Sequence, residues 1–233
     1  AMHFSSEVIE NKSVLIQTQD TVAVFAINFE AYTADGTTVY PIQSLGNEYR
    51  LHAYYGLSGV NNLVSEFLIV ATKDGTEVEI NSSAATQGGH AVGVPWIVTL
   101  DSGETYQVKA SSTAGDFTGT TVIGTPSSGT CRPFAVFSGS LCTNIPNGCY
   151  ACDHIVEQDL PRNVWGTKYY SVPYSTTSGY TYRILADQNN TQVTVNGGAP
   201  INLNAGQFVE VNNYNQAACF EGNKPFSVAQ LMQ

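Results

Sequence analysis

Four short blocks of this chain occur twice in the same order, and that recurrence limits the fold to one built from repeated modules. The first set is Glu66-Phe67-Leu68-Ile69-Val70-Ala71, Asp74-Gly75-Thr76-Glu77-Val78-Glu79-Ile80, Val98-Thr99-Leu100-Asp101-Ser102-Gly103-Glu104-Thr105-Tyr106 and Arg132-Pro133-Phe134-Ala135-Val136-Phe137. The second is Arg183-Ile184-Leu185-Ala186, Asn189-Asn190-Thr191-Gln192-Val193-Thr194-Val195, Ile201-Asn202-Leu203-Asn204-Ala205-Gly206-Gln207-Phe208 and Lys224-Pro225-Phe226-Ser227-Val228-Ala229. Self-similarity of this kind marks stacked or tandem supersecondary units. Pro41-Ile42-Gln43-Ser44-Leu45-Gly46-Asn47-Glu48-Tyr49 heads the first copy as Pro161-Arg162-Asn163-Val164-Trp165-Gly166-Thr167-Lys168-Tyr169 heads the second. Near the start, Asp20-Thr21-Val22-Ala23-Val24-Phe25 matches the last block once more. Each copy is roughly a hundred residues, an ordinary domain size.

Within a copy the apolar runs are short and β-branched, and polar turn residues separate them. Val14–Thr18, Thr21–Ile27, Phe67–Ala71, Glu77–Ile80, Trp96–Leu100, Tyr106–Lys109, Thr120–Ile123 and Phe134–Phe137 read as strands. In Thr76-Glu77-Val78-Glu79-Ile80 and Thr191-Gln192-Val193-Thr194-Val195 every second side chain is polar, so one face is wet and the other buried. Asp74-Gly75, Asp101-Ser102-Gly103, Asn196-Gly197-Gly198 and Asn204-Ala205-Gly206 supply residues that tolerate positive φ in hairpins. The pattern predicts an all-β chain of tandem antiparallel β-sandwich repeats, with two near-complete copies plus the tail of a preceding one. The expected boundaries are 1–45 for tail strands packed on a neighbouring copy, 46–138 for one sandwich, 139–165 for a cysteine-rich connector and 166–233 for the second sandwich. A β-propeller is the rival architecture, but its blade period of roughly 40–50 residues is absent.

Only 12% of the 233 residues are charged against 42% hydrophobic, so neutral Ser, Thr, Asn, Gln and Gly must cover the surface. Net charge is −10 and the nine Lys and Arg are scattered, which argues against nucleic acid and against anionic membranes. No apolar run approaches the ~20 residues that span a bilayer. The chain reads as an excised segment of a longer protein.

Three of the five cysteines fall between the copies. They are Cys142, Cys149 and Cys152, with Cys131 and Cys219 outside that stretch. All five are disulfide candidates, and the first reading is a stapled loop in an oxidising compartment. One cysteine is left over in any pairing: Cys131 or Cys219 reaches beyond the chain if the two do not join each other. The alternative is a metal site, in which Cys142, Cys149, Cys152 and His154 present three thiolates and an imidazole to zinc. Asp153, His154, Glu157 and Gln158 follow at once; carboxylate beside imidazole suits acid–base chemistry or calcium, or else hydrogen bonds that knit the connector to sheet edges. No nucleophile elbow or metalloprotease spacing is present, so no enzyme and no cofactor are expected. Asn11, Asn81 and Asn189 open glycosylation sequons. Tyr54, Tyr55, Tyr169, Tyr170, Tyr174, Tyr180 and Tyr182 provide either a flat binding surface or strand packing.

Ser5–Lys12, Val22–Asn28, Leu45–Tyr49, Ala135–Gly139 and especially Ala151-Cys152-Asp153-His154-Ile155-Val156-Glu157-Gln158 resemble the N-terminal domain of IgGFc-binding proteins. The resemblance covers nearly the whole chain. It implies large secreted, adhesive proteins, mucus-associated in animals and often carrying von Willebrand D modules, with surface or secreted members in bacteria. What it implies here is an extracellular, disulfide-bearing adhesion module that binds protein or glycan without catalysis and neighbours other domains of its parent. The Fc ligand of the family name is not carried over, since no motif for it is visible. The other readings are a zinc- or calcium-dependent site or enzyme centred on the connector, and a purely structural spacer.

Overall fold

In this computed structural model the described residues are 5–30, 32–60, 62–125, 132–146, 148–149, 151–173 and 179–232. Cys131 and Tyr174 lie outside them. Among the described residues there is no α-helix, only 3-10 turns at Ile42–Ser44 and Arg162–Val164. The strands are β1 (Ile9–Glu10), β2 (Val24–Glu30), β3 (Thr33–Val39), β4 (Glu48–Arg50), β5 (Ser65–Ala71), β6 (Thr76–Asn81), β7 (Trp96–Leu100), β8 (Thr105–Lys109) and β9 (Thr121–Gly124). They continue as β10 (Phe134–Thr143), β11 (Asp153–Gln158), β12 (Gly166–Ser171), β13 (Tyr180–Ala186), β14 (Thr191–Val195), β15 (Ile201–Leu203), β16 (Phe208–Tyr214) and β17 (Ala218–Met232). The fold is all-β and antiparallel, as the alternation predicts.

The chain divides into two compact units, residues 1–143 with 153–163, and residues 144–152 with 164–233. The stretch read as a connector, 139–165, therefore contains the end of β10 and the whole of β11, both strands of the first unit.

In the first unit a sheet of order β1-β8-β5-β10-β11 lies with a sheet of order β4-β9-β6-β7, and hairpin β2-β3 stands beside β11. Every second residue points inward: Phe67, Ile69 and Ala71 from β5, Val78 and Ile80 from β6, Val108 from β8, Val122 from β9, Phe134 and Val136 from β10. Each of the valine, isoleucine and phenylalanine side chains stabilises by about 1.5–3 kcal/mol on burial. The run Val14–Thr18, read as a strand, is not one; Val14 is 81% exposed. Strand propensity is mainly packing against neighbours, and no strand flanks this run among the described residues.

In the second unit β14 pairs β15 on one side and the first part of β17 on the other, β12 pairs that same part of β17, and β13 lies between β16 and the later part of β17. The single long β17 thus has the partners that β9 and β10 share out in the first unit. It turns near Gly222, where any Cβ would meet the Phe226 ring at 2.7 Å. Tyr180, Tyr182, Ile184, Phe220 and Phe226 form the core. Arg183, on the other face of β13, is buried too at 1% exposure, bound to Glu210 directly across the β13–β16 pair at 2.9 and 2.7 Å and stacked 4.6 Å from the Phe208 ring.

One device occurs in both units. The Tyr49 hydroxyl accepts from the Gly46 amide at 2.9 Å and donates to the Phe134 carbonyl at 2.7 Å; the Tyr169 hydroxyl accepts from Gly166 at 2.6 Å and donates to Phe226 at 2.8 Å. Each ring also packs on that phenylalanine, with centroids 5.1 and 5.0 Å apart. Burial pushes the Tyr49 phenol up to about 12, so it remains a donor throughout the physiological range.

Replacing Tyr49 or Tyr169 by Phe strips a donor and an acceptor from backbone groups that water does not replace. Each change is expected to cost about 1–3 kcal/mol, read as a lower urea midpoint at unchanged slope.

Candidate functional site

The motif Asp153-His154-x-x-Glu157-Gln158 occupies β11, whose one edge pairs with β10 from Phe137↔Gln158 to Ser140↔Ile155. The other edge exposes the amides of His154, Val156 and Gln158. Strand β3 runs beside it and meets those amides with side chains. Thr33, Asp35 and Thr37 alternate along β3, so a strand period of two aims all of them the same way. Thr33 Oγ1 accepts from His154 N at 2.7 Å, Asp35 Oδ2 from Val156 N at 2.7 Å, and Thr37 Oγ1 from Gln158 N at 3.0 Å. Side-chain oxygens here stand where a neighbouring strand's carbonyls would stand.

The motif's own side chains return the contact. Asp153 Oδ1 accepts from the Thr33 hydroxyl at 2.5 Å, from Ala34 N at 3.1 Å and from His154 N at 2.9 Å. His154 Nε2 lies 3.0 Å from Asn28 Nδ2, Glu157 Oε1 accepts from the Thr37 hydroxyl at 2.8 Å, and Gln158 Oε1 accepts from Tyr40 N at 2.8 Å. Burial raises the Glu157 carboxyl above its ordinary range, with Thr37 acting against the rise and Asp35 adding to it. All four motif residues are thus engaged with hairpin β2-β3. The hairpin partners were not legible as site residues, because Thr33-Ala34-Asp35-Gly36-Thr37-Thr38 reads as a polar turn; the usable signal was its strict alternation of hydroxyl and carboxylate.

A second polar group lies next to the motif. Asp159 Oδ1 accepts from His52 N at 3.0 Å, and the Ser138 hydroxyl donates to His52 O at 2.8 Å. Serine, histidine and aspartate are together here, but these bonds run through the peptide groups of His52, which is not the geometry of a nucleophile and its base. Burial pushes the Asp159 carboxyl up to about 7, resisted by the Ser138 hydroxyl and the His52 amide. Burial also pushes Glu66 up to about 7, against the pull of Lys109 and Gln107.

Cys142 and Cys152 are joined in a disulfide, while Cys149 is an exposed thiol and Cys219 a half-buried one. Cys131 lies outside the described residues. Of the alternative zinc set Cys142, Cys149, Cys152 and His154, two sulfurs are joined to each other and the His154 ring nitrogen faces Asn28. Among the described residues no group of three or more His, Cys, Asp or Glu is placed to hold an ion. Asn11, Asn81 and Asn189 are all exposed. Tyr54, Tyr180 and Tyr182 are fully buried, Tyr169 packs against the second core and Tyr170 is 73% exposed.

Two tests arise from this geometry. Asp35→Ala removes the acceptor of the Val156 amide and is expected to speed hydrogen exchange along β11 while costing about 1–2 kcal/mol; protection unchanged at Val156 contradicts the side-chain pairing. For pH, the folded values of Asp159 and Glu66 lie above the unfolded range near 4, so the folded chain holds protons the unfolded one has released. Their contribution is full below about pH 4 and is lost as pH rises to about 7. Melting temperatures should therefore fall between pH 5 and pH 8, and Asp159→Asn with Glu66→Gln should flatten that fall.

The family model described as IgGFc binding protein matches residues 35–233. The human IgGFc-binding protein is 33% identical over 204 residues, which is 85% of this chain and 4% of the relative. No solved structure matches. The matched span contains β11 with its Cys-Asp-His-x-x-Glu-Gln string, the disulfide and both tyrosine clamps, and on that breadth the chain belongs to the IgGFc-binding protein family.

Proposed function

We propose that this chain is a binding module of a secreted or surface-displayed protein, one that holds a protein or glycan ligand and performs no reaction. Family membership is the observation that carries the reading. The name of the human relative records binding to an antibody Fc region, and because the chain spans 4% of that protein's length, the Fc ligand enters here only as a probe.

Two features support the extracellular part. The Cys142–Cys152 disulfide suits an oxidising compartment. Asn11, Asn81 and Asn189 are accessible to glycosylation. The non-catalytic part is supported by the motif itself, whose carboxylates, imidazole and amide are taken up in docking hairpin β2-β3. Neighbouring domains of the parent protein are further partners in this reading.

The oxidised full chain, immobilised and presented with IgG Fc and with a glycan array, should retain at least one of them saturably. Silence on both would favour a spacer without a ligand of its own. Stoichiometric zinc in elemental analysis of the non-reduced chain would instead restore the metal reading.

A further inference from the structure

Hairpins β2-β3 and β10-β11, both in the first unit, stand in the same setting along the chain. Each is followed by a proline, Pro41 or Pro161, then a 3-10 turn and a strand opening into a tyrosine clamp. Their registers coincide. Phe25↔Thr38, Ala26↔Thr37 and Ile27↔Gly36 correspond to Phe137↔Gln158, Ser138↔Glu157 and Gly139↔Val156, counted back from the two prolines. The sequence match of Asp20–Phe25 to Arg132–Phe137 gives the same alignment independently.

The two hairpins differ in one respect. Strand β10 has β11 on one edge and β5 on the other, whereas β2 pairs with β3 alone among the described residues. The consequence shows at the matched aromatic: Phe137, set opposite Leu68 of β5, is half-buried, while Phe25 is 68% exposed. Ile27 at 76% and Phe29 at 78% continue the same bare face. An apolar strand with one open edge is a template for pairing, and unprotected edges of this kind are normally covered.

We infer that the open edge of β2 receives a β5-type strand from another copy of this repeat, completing that copy's sheet as β10 completes the first unit's. The β5 and β13 of this chain cannot serve, since each is already paired on both edges. The register follows by transposition. Val136↔Ile69, Phe137↔Leu68 and Ser138↔Phe67 become, on β2, an Ile69-type residue opposite Val24, a Leu68-type residue opposite Phe25 and a Phe67-type residue opposite Ala26. The Leu141 amide donates to Val64 on the β5 side, and Val136 accepts from Asp159 on the β11 side. Odd positions of β10 therefore face β5, and by the same parity the amides of Phe25, Ile27 and Phe29 face the open edge of β2. The inference goes beyond the ligand reading and stands whether or not Fc or a glycan is bound.

The test uses the full chain and two soluble peptides carrying terminal lysines, residues 63–73 for β5 and residues 103–111 for β8, a strand that does not neighbour β10. The β5 peptide should bind saturably and slow exchange of the Phe25, Ile27 and Phe29 amides by about tenfold or more. Ile27→Pro, which deletes one of those amides, and Ile27→Lys, which charges the bare face, should each abolish binding while protection in β10 and β11 persists. Equal binding of the β8 peptide, protection away from β2, or no binding overturns the proposal. So does a concentration-dependent dimer of the chain that protects β2 without peptide, because the occupant is then a second β2 and not a β5-type strand.

Discussion

A tyrosine hydroxyl bonded to two backbone groups ties β4 to β10 in the first unit and β12 to β17 in the second. Tyr49 joins Gly46 to the Phe134 carbonyl and Tyr169 joins Gly166 to the Phe226 carbonyl, the two tyrosines reaching across 85 and 57 residues of sequence. That reach brings residues far apart in sequence to one point in each unit. The phenylalanine is itself core, so the clamp and the apolar cluster meet at one residue in each unit, Phe134 and Phe226.

Polar side chains serve as structure elsewhere too. Antiparallel sheets ordinarily end in an edge of unpaired amides, which invites aggregation. β11 avoids that outcome through Thr33, Asp35 and Thr37, whose oxygens take its amides one by one. Side-chain acceptors let β3 approach without joining the sheet, so the hairpin can turn its opposite face away. With 12% charged residues the chain has few ions for guarding edges, and at β11 two hydroxyls and a single carboxylate carry out that task.

Local chemistry was legible in the sequence and long-range partnership was not. The turn residues announced the hairpins: Asn196 and Gly197 adopt φ of 50° and 70° between β14 and β15. Alternation in Thr76–Ile80 gave the inward Val78 and Ile80. The matching blocks announced that Gly46–Tyr49 and Gly166–Tyr169 play equivalent parts, although nothing in them shows the hydroxyl's destination. Tyr54, Tyr180 and Tyr182 look alike to any propensity scale whether they face water or core, and only their position in the finished sheet decides it. Val14–Thr18 failed as a strand for the converse reason, since favourable residues cannot form a ladder without a second strand. The polar string at 153–158 was conspicuous, but its partners lie about 120 residues away in a segment with no distinguishing composition.

The Cys142–Cys152 bond sits at the turn between β10 and β11. Under tension, a protein tethered by its ends lengthens only as covalently free chain pays out. The residues between the two sulfurs are locked out of that reserve, withholding roughly 30 Å of contour at about 3.4 Å per residue. Pulled to full extension, a string of such modules would end shorter than its residue count suggests, and a reducing agent would return that length without cutting any peptide bond.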